Sequence, residues 1–271
     1  MRLVSYRANG AFRAGNKTAD GVVDAGPSVR ELLGLRPERL GELAASGAPV
    51  DDDGLELGPP VPDPPKIVCL GLNYRDHAEE AGLTPPPEPI FFAKWANSLI
   101  GPTATIIPPS ITEQVDYEVE LAVVIGRRGR DITQADALDH VAGAMVFNDV
   151  SARDLQLANQ LWTGGKAIDT FGPCGPHLVL MNEIEDLQAL GLRTRVNGET
   201  VQDGTTADMV FGVAETIAFL SRIMTLEPGD IIATGTPAGV GMSRDPKLFL
   251  KSGDVVEVEI DGIGTLRNPV A

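Results

Sequence analysis

One stretch of the sequence, residues 115–126 (VDYEVELAVVIG), constrains the fold more than any other. Side chains of an extended chain alternate between two faces, so the spacing predicts that Asp116, Glu118 and Glu120 share one face of a strand. The apolar run that follows, residues 121–125, predicts that this strand is covered on both sides. Buried carboxylates need a basic partner, a shared proton or a hard cation. The alternative, common for an isolated Glu-x-Glu, is a solvated edge strand.

The composition limits the partners that this chain can have. With 271 residues, of which 43% are hydrophobic, it can form one large domain, or one large and one small, around a substantial core. A formal charge of −16 repels nucleic-acid phosphates and anionic lipids, so we expect neither nucleic acid nor a membrane as a partner. An anionic small substrate would need Arg or Lys residues placed locally.

The expected location is the cytoplasm. No apolar run approaches the roughly 20 residues of a membrane helix, and the N-terminus lacks a signal-peptide core. Cys69 and Cys174 follow no CxxC or zinc spacing, so we expect no disulfide framework and a reducing compartment.

The pattern of strand, turn and helix signals predicts two units. Residues 1–61 predict a small N-terminal domain, and a proline-rich linker over 58–65 leads into a larger domain at 62–271. In the larger domain strands dominate, with a few helices outside, one of them predicted over 131–141. Asn197-Gly198 predicts the type I′ turn of a hairpin. The expected fold class is α+β, dominated by strands.

A short helix predicted after residue 74 carries the first candidate catalytic group. His77 and Glu80 are i,i+3 neighbours on this helix and can touch, which predicts an acid–base dyad. The alternative is a surface histidine beside a helpful glutamate.

Asp149 stands at the end of one predicted strand and just before a helix. Ser151 and Asp154 fit a capping box at the start of that helix, which gives Asp154 a structural role. Asp149 has no such role and is a natural third metal ligand beside the two glutamates. Arg153 and Gln156, three residues apart, would point the same way.

The glycine-rich segment at 161–173 carries one lysine, Lys166. It is no P-loop, because Ala167 replaces the required Ser or Thr. Lys166 is therefore either a solvated surface lysine or a lysine held over an anionic substrate.

Five segments, taken together, resemble the fumarylacetoacetate hydrolase superfamily from about residue 66 to the C-terminus. They are GLNYRDH (71–77), YEVEL (117–121), NDVSARDLQ (148–156), GKAIDTFGP (165–173) and LEPGDIIATGTP (226–237), in the family's order. The resemblance is to bacterial members of the acylpyruvase type, which process 2-oxo acids. It implies a mixed β-sandwich roll, a small N-terminal α/β cap domain and a homodimer.

The resemblance also implies the contents of the site. The implied residues are Glu118, Glu120 and Asp149 as ligands of a divalent cation, His77 and Glu80 as an acid–base pair, Lys166 as a catalytic lysine, and Arg153, Gln156 and Thr236 as substrate contacts. Three carboxylates suit Mg²⁺ or Mn²⁺, or else Ca²⁺, whereas the lack of Cys ligands and of a His cluster argues against zinc.

These residues favour hydrolytic cleavage of a C–C bond in an acylpyruvate-like 1,3-diketo acid. His77, oriented by Glu80, would deprotonate the attacking water, and Lys166 would stabilise the oxyanion. The alternative is decarboxylation of an oxaloacetate-like 2-oxo acid, or isomerase or lyase chemistry on a related acid, with the same cation. A hypothesis of another class is a non-enzymatic binding protein in which the cation only braces the fold.

Overall fold

The fold is dominated by strands, as predicted. The computed structural model describes residues 1–35, 37–51 and 54–271. Its strands are β1 (Arg2–Ala8), β2 (Ala11–Thr18), β3 (Gly21–Gly26), β4 (Pro49–Val50), β5 (Leu57–Gly58), β6 (Ile67–Gly71), β7 (Ile90–Lys94), β8 (Leu99–Ile100), β9 (Val115–Asp116), β10 (Val119–Ile125), β11 (Val141–Asn148), β12 (Ser151–Ala152), β13 (Gly172–Leu180), β14 (Gly191–Val196), β15 (Glu199–Thr205), β16 (Ile231–Ala233), β17 (Val255–Ile260) and β18 (Gly264–Pro269).

Helices are short and lie between these strands. They are α1 (Val29–Leu33), α2 (Pro37–Ser46), α3 (Arg75–Glu80), α4 (Arg153–Gln156), α5 (Thr163–Lys166) and α6 (Val213–Ile223), with 3₁₀ turns at Ala96–Ser98, Ala137–His140, Met181–Glu183, Thr206–Asp208 and Gly241–Ser243. None of the helices in the described ranges is long and apolar enough to span a bilayer.

The strands form two main layers around β10. The large sheet has the order β4-β3-β2-β1-β13-β11-β10-β16-β6-β7, with β5 beside β1 and β8 beside β13, and a second sheet has the order β15-β14-β17-β18. Leu121 and Val123 of β10 join the core that faces the second sheet, whereas Ala122 and Val124 join the core on the other face. Because both faces of β10 are buried, the prediction of a strand covered on both sides is confirmed.

The N-terminal strands extend the same large sheet. β1 pairs with β13 in antiparallel register, with Leu3 opposite Leu178. Side chains of α1 pack with those of β6, β10 and β13 in one apolar cluster. A domain boundary at 61/62 stays a prediction, since hydrogen bonds and a common core join the two parts.

Several local predictions can be compared with the structure directly. Asn197-Gly198 joins β14 to β15 with positive φ angles of 53° and 85°, as predicted. Ser28 caps α1 by accepting a hydrogen bond from the Glu31 amide. The helix predicted over 131–141 is wrong. Asp131 has a φ of 51°, which an α-helix does not accommodate, and only the 3₁₀ turn Ala137–His140 forms.

The predicted capping box at Ser151 and Asp154 is also wrong. Ser151 lies in β12 and donates to the Asp149 carbonyl at 2.8 Å, so its hydroxyl is not free to cap α4. Asp154 instead accepts hydrogen bonds from the Thr112 hydroxyl and the Glu113 amide. The Asp154 side chain therefore anchors the segment before β9.

His177 in β13 should make the protein sensitive to mild acid. Burial, helped by the charge of Arg2, lowers the pKa of His177 from 6.5 to about 4. Below pH 6.5 the unfolded chain takes up a proton that the folded chain refuses, so stability falls as the pH drops towards 4. We expect a loss of about 1.5 kcal/mol between pH 6.5 and 5 from this residue. Urea unfolding at both pH values should show a smaller loss for His177→Gln, and equal losses would contradict the assignment.

Candidate metal centre and active site

The three carboxylates proposed as cation ligands lie together. Oxygens of Glu118, Glu120 and Asp149 lie within 4.8 Å of one another, and all three residues are buried. The Glu118 amide donates to the Asn148 side chain at 3.0 Å, and the Asp149 amide donates to the Glu118 carbonyl at 2.9 Å. These bonds hold the start of β10 against the end of β11, which brings the acids from two strands to one point.

Lys166 and Arg153, both singled out from the sequence, contact this acid cluster directly. Lys166 Nζ lies 2.7 Å from Glu118 Oε2 and 2.7 Å from Asp149 Oδ2, and Arg153 Nη1 lies 2.7 Å from Glu118 Oε1. Burial favours the neutral acid, but the charges of Lys166 and Arg153 outweigh it and lower the pKa of Glu118 to about 2. Burial also opposes the charge of Lys166, yet Asp149 and Glu118 raise its pKa above the ordinary value. Lys166 is therefore a buried ammonium and not a solvated surface lysine.

A third cation, Lys94, was not singled out from the sequence. Its Nζ donates to Asp149 Oδ1 at 2.7 Å and to the Val150 carbonyl at 3.1 Å, and its side chain is buried. The sequence signal is weak, because a lysine at the end of an apolar strand usually reaches solvent. The pairing of β7 with β6 places Lys94 next to Asp149.

Replacing Lys94 by methionine should destabilise the protein strongly. Removing one partner of a buried ion pair leaves an uncompensated charge, at a cost of about 3–5 kcal/mol. Because Asp149 keeps Lys166, we expect a value near the lower end, measured by urea unfolding. Lys251→Met removes an exposed lysine and should change stability by at most about 0.5 kcal/mol. Equal effects of the two substitutions would show that the Lys94 pair contributes nothing.

Asp116 does not join the cluster, although the alternation predicted a shared face. It lies in β9, and the chain leaves extended pairing at residues 117–118 before β10 begins, so the strand period does not carry through. Asp116 Oδ2 accepts from Arg153 Nε at 2.8 Å, and its two oxygens accept from the amides of Gly241 and Met242. Asp116 therefore positions Arg153 and the segment that follows β16.

Glu120 is the acid of this cluster that has no cationic partner among the described residues. Its Oε2 accepts from the Gly235 amide at 2.9 Å, while its buried Oε1 has no hydrogen-bond partner in the part of the chain that the structure describes. Gly235 has a φ of 88°, which favours glycine at this contact. Burial, and then the charges of Asp149 and Glu118, raise the pKa of Glu120 well above its ordinary value.

The donor set fits a divalent cation. Lys94, Arg153 and Lys166 pair with Asp149, Asp116 and Glu118, whereas Glu120 has no cationic partner among the described residues. A hard cation bound by oxygen ligands at roughly 2.0–2.6 Å would pair with the buried Glu120 oxygen and take the place of the proton that the raised pKa of Glu120 favours.

The two side chains predicted as an acid–base dyad contact each other on α3. His77 Nδ1 lies 3.2 Å from Glu80 Oε2, and Glu80 Oε1 accepts from the Gly239 amide at 2.9 Å. Asp76 also accepts from the Ala238 amide, so α3 is docked on the segment that follows β16. Because Nδ1 faces a carboxylate, Nε2 is the ring nitrogen available for proton transfer.

Most of the predicted residues line one cavity of about 390 Å³. Those lining it are His77, Glu80, Glu118, Glu120, Arg153, Gln156, Lys166 and Thr236. Asp149 lies behind them and contacts the cavity wall through Lys166. The arrangement joins the acid cluster, the His77–Glu80 pair and a guanidinium group in one space.

The predicted substrate contacts are held by neighbours within the protein. Arg153 Nη1 donates to Gln156 Oε1 at 2.9 Å, and Arg153 Nη2 is buried without a partner among the described residues. Thr236 Oγ1 accepts from Gln202 Nε2 at 2.8 Å. Gln202 was missed because it lies in a hairpin of the second sheet, far from every motif in the sequence. Gly165 lets α5 approach the Gln156 backbone, where a Cβ would overlap.

Comparisons with known proteins agree on one relationship. The model of the fumarylacetoacetate (FAA) hydrolase C-terminal domain matches residues 66–271. The Xenopus laevis protein named oxaloacetate tautomerase fahd2, mitochondrial, is 49% identical, and the alignment covers 100% of this chain and 90% of that protein.

Two solved structures show the same fold over the whole chain. The fumarylacetoacetate hydrolase of the psychrophile Exiguobacterium antarcticum has a TM-score of 0.89 at 38% identity, covering 100% of this chain and 99% of that one. The maleylpyruvate hydrolase of Sphingobium sp. SYK-6, solved with manganese(II) and pyruvate, has a TM-score of 0.84 at 30% identity, with the same coverage.

Proposed function

Because the chain belongs to the fumarylacetoacetate hydrolase family, we propose that it is a divalent-cation-dependent enzyme for 2-oxo acids, and that its reaction is keto–enol tautomerisation of an oxaloacetate-like acid. One observation carries the proposal. A buried acid cluster with an unpaired Glu120 oxygen opens into a cavity that also holds the His77–Glu80 dyad. The name of the Xenopus laevis relative supports the choice of reaction.

Glu118, Glu120 and Asp149 would hold the cation, and Mg²⁺ or Mn²⁺ suits their oxygen atoms. When bound, the cation supplies Lewis-acid stabilisation of the negative charge that develops on the 2-oxo oxygen of the substrate. Manganese in the Sphingobium hydrolase supports a divalent ion of this kind. A site that only braces the fold would be closed by protein atoms, whereas this cluster borders a cavity.

Tautomerisation requires one proton to move between C3 and the 2-oxygen of the substrate. His77 Nε2 would exchange the proton at C3, with Glu80 fixing the ring through Nδ1. Arg153 Nη2 is a buried donor without a partner among the described residues, and a substrate carboxylate would supply one. Gln156 and Thr236 line the same cavity and would orient the rest of the acid.

Hydrolytic cleavage of an acylpyruvate-like acid is the second candidate. The cavity volume of about 390 Å³ favours it, because a four-carbon acid leaves room for an acyl group and a water molecule. His77 would then take a proton from water, and the Lys166 ammonium would stabilise the oxyanion. Decarboxylation of oxaloacetate needs no attacking water and would depend less on His77.

The reactions are separated by assaying three conversions of the same preparation. Loss of the enol of oxaloacetate, release of CO₂ from oxaloacetate and cleavage of acetylpyruvate are each measured with Mg²⁺, with Mn²⁺ and with a chelator. We expect cation-dependent turnover, fastest for the oxaloacetate enol. Faster cleavage of acetylpyruvate would select the second candidate. Absence of chelator-sensitive turnover in all three assays would overturn the proposed function.

A further inference from the structure

The two ends of the cavity differ in chemistry. Its inner end is formed by the buried groups of Glu118, Glu120, Arg153 and Lys166, whereas the exposed side chains that line its mouth are mostly apolar, apart from Glu80 and Ser243. The apolar side chains that line it include Leu72, Leu83, Leu157, Trp162 and Met242. Leu83 is 52% exposed and Leu157 is 60% exposed, so two leucines stand open to solvent at the rim.

Trp162 is the largest part of this apolar wall. Its ring packs edge-on against Phe92, with 5.6 Å between the centroids, and Phe92 in turn lies 5.1 Å from Lys166 Nζ. The six-membered part of the indole lies over Gly71 at the end of β6, where an added Cβ would overlap it. The indole is therefore held in place by packing against Gly71 of β6 and Phe92 of β7.

The cationic side chains of the cavity are all bound to acids away from this wall, among the described residues. Among the described residues that line the cavity, the Lys, Arg and His side chains are His77, Arg153 and Lys166. Arg153 and Lys166 are bound to Glu118 at the inner end, and His77 is bound to Glu80. A carboxylate that reached the mouth would lose water against leucine and indole surface without gaining a cationic partner among the described residues.

We propose that Trp162, with Leu83 and Leu157, determines which 2-oxo acids longer than four carbons are accepted. This wall accepts an uncharged apolar end and rejects a second carboxylate that extends to the mouth. In this arrangement the second carboxylate of the four-carbon oxaloacetate would bind near Arg153, and the wall would act on longer acids. The inference rests on the proposed function, because it concerns substrates whose 2-oxo acid group occupies the inner end.

Binding of two matched ligands tests the wall. One is a 2,4-dioxo acid that ends in a propyl group, and the other has the same length and ends in a carboxylate. Dissociation constants are measured by calorimetry in Mg²⁺. We expect the alkyl ligand to bind at least about tenfold more tightly, since each buried methylene contributes about fourfold. Equal binding, tighter binding of the dicarboxylate, or no binding of either ligand would overturn the inference.

Fluorescence places the bound ligand. Trp95 and Trp162 are the two tryptophans of the chain, and Trp95 is 59% exposed outside the cavity. In Trp95→Phe the emission comes from Trp162, and we expect the alkyl ligand to change it in proportion to occupancy. An unchanged emission at saturation would show that the alkyl end does not reach the wall.

A charge added at the mouth provides a matched pair of variants. Leu157→Lys places an ammonium on the wall and should reduce the preference for the alkyl ligand by about tenfold. Leu161→Lys adds the same charge four residues away, on a side chain that is 77% exposed and does not line the cavity, and should leave the preference unchanged. If both variants changed the preference between the two ligands equally, the overall electrostatic potential of the protein would explain the change. That result would contradict a local effect of the wall.

Failure of the wall and failure of the proposed function give different results. If the assays of turnover find no chelator-sensitive reaction, the function is wrong whatever the ligands do. If turnover is found but the two ligands bind alike, the function stands and the wall is wrong. Trp162→Ala adds a third measurement, since it should weaken the alkyl ligand while Trp162→Phe retains most of its affinity.

Discussion

Glu120→Gln should abolish cation-dependent turnover and, at the same time, stabilise the protein in the absence of the cation. Within the part of the chain that the structure describes, Glu120 supplies the one oxygen of the cluster without a hydrogen-bond partner, and burial, followed by the charges of Asp149 and Glu118, raises its pKa. Glutamine keeps an oxygen for the Gly235 amide and removes the buried repulsion. We expect turnover to fall by at least about 10³-fold, and the free energy of unfolding of the cation-free protein to rise by about 1–3 kcal/mol.

The pH dependence of this gain follows from the direction of the pKa shift. Below pH 4.5, the ordinary value, Glu120 is protonated in both states and causes no penalty. As the pH rises above 4.5, the unfolded chain releases the proton that the folded chain retains, so the cation-free protein loses stability. The advantage of Glu120→Gln should therefore grow from pH 4.5 towards neutrality.

Thermal unfolding without Mg²⁺ measures the gain in stability, and thermal unfolding with Mg²⁺ measures whether the cation still binds. Glu118→Gln is the matched control. Glu118 is paired with Lys166 and Arg153, so its neutralisation leaves buried cations without compensation and should destabilise the cation-free protein. The two substitutions should therefore change the stability of the cation-free protein in opposite directions. The assignment of Glu120 fails if its variant is less stable than the parent, or if Mg²⁺ still stabilises it.

His77→Ala should lower kcat by about 10²–10⁴-fold while leaving Mg²⁺ binding intact. A positioned acid–base group contributes roughly this factor, and among the described residues His77 bonds to Glu80 and makes no hydrogen bond or ion pair with the acid cluster. Glu80→Gln should cost less, because glutamine can still accept from the Gly239 amide and loses mainly the orientation of the ring. The measurements are kcat on the fastest substrate and calorimetric titration with Mg²⁺.

A second histidine serves as the control for that experiment. His140 is bonded to Arg127 through both ring nitrogens and lies outside the cavity, so His140→Gln should keep its turnover. If His77→Ala retained full turnover of the oxaloacetate enol and of acetylpyruvate, the dyad would have no catalytic role. If it lost only the cleavage of acetylpyruvate, His77 would act on water and not on C3.

The sequence predicts the central strand well because its two buried faces leave a strong pattern. Leu121 and Ala122 enter different cores, as an apolar run requires. The same period fails at Asp116, since extended pairing stops between β9 and β10 and the alternation restarts. A local pattern predicts a side chain's direction only while the backbone keeps one conformation.

The parts of the site that sequence reasoning missed are those fixed by long-range pairing. Lys94 reaches Asp149 because β7 is the neighbour of β6, and Gln202 reaches Thr236 from the second sheet. Neither residue has a local pattern that separates it from an ordinary lysine in a strand or glutamine in a hairpin. The acids, in contrast, could be proposed because unpaired buried carboxylates are rare.

The antiparallel pairing of β1 with β13 also sets an order of events during synthesis. Leu3 leaves the ribosome early, but its partner Leu178 is translated much later, after β6, β10 and β11. Until then the apolar side chains of β1 cannot pack against β13. Bringing β1 and β13 together is also slow, because it closes a loop that contains most of the chain between them. We therefore expect the nascent chain to depend on chaperones until β13 has been made. The large sequence distance between β1 and β13 should thus affect the yield of folded protein in the cell.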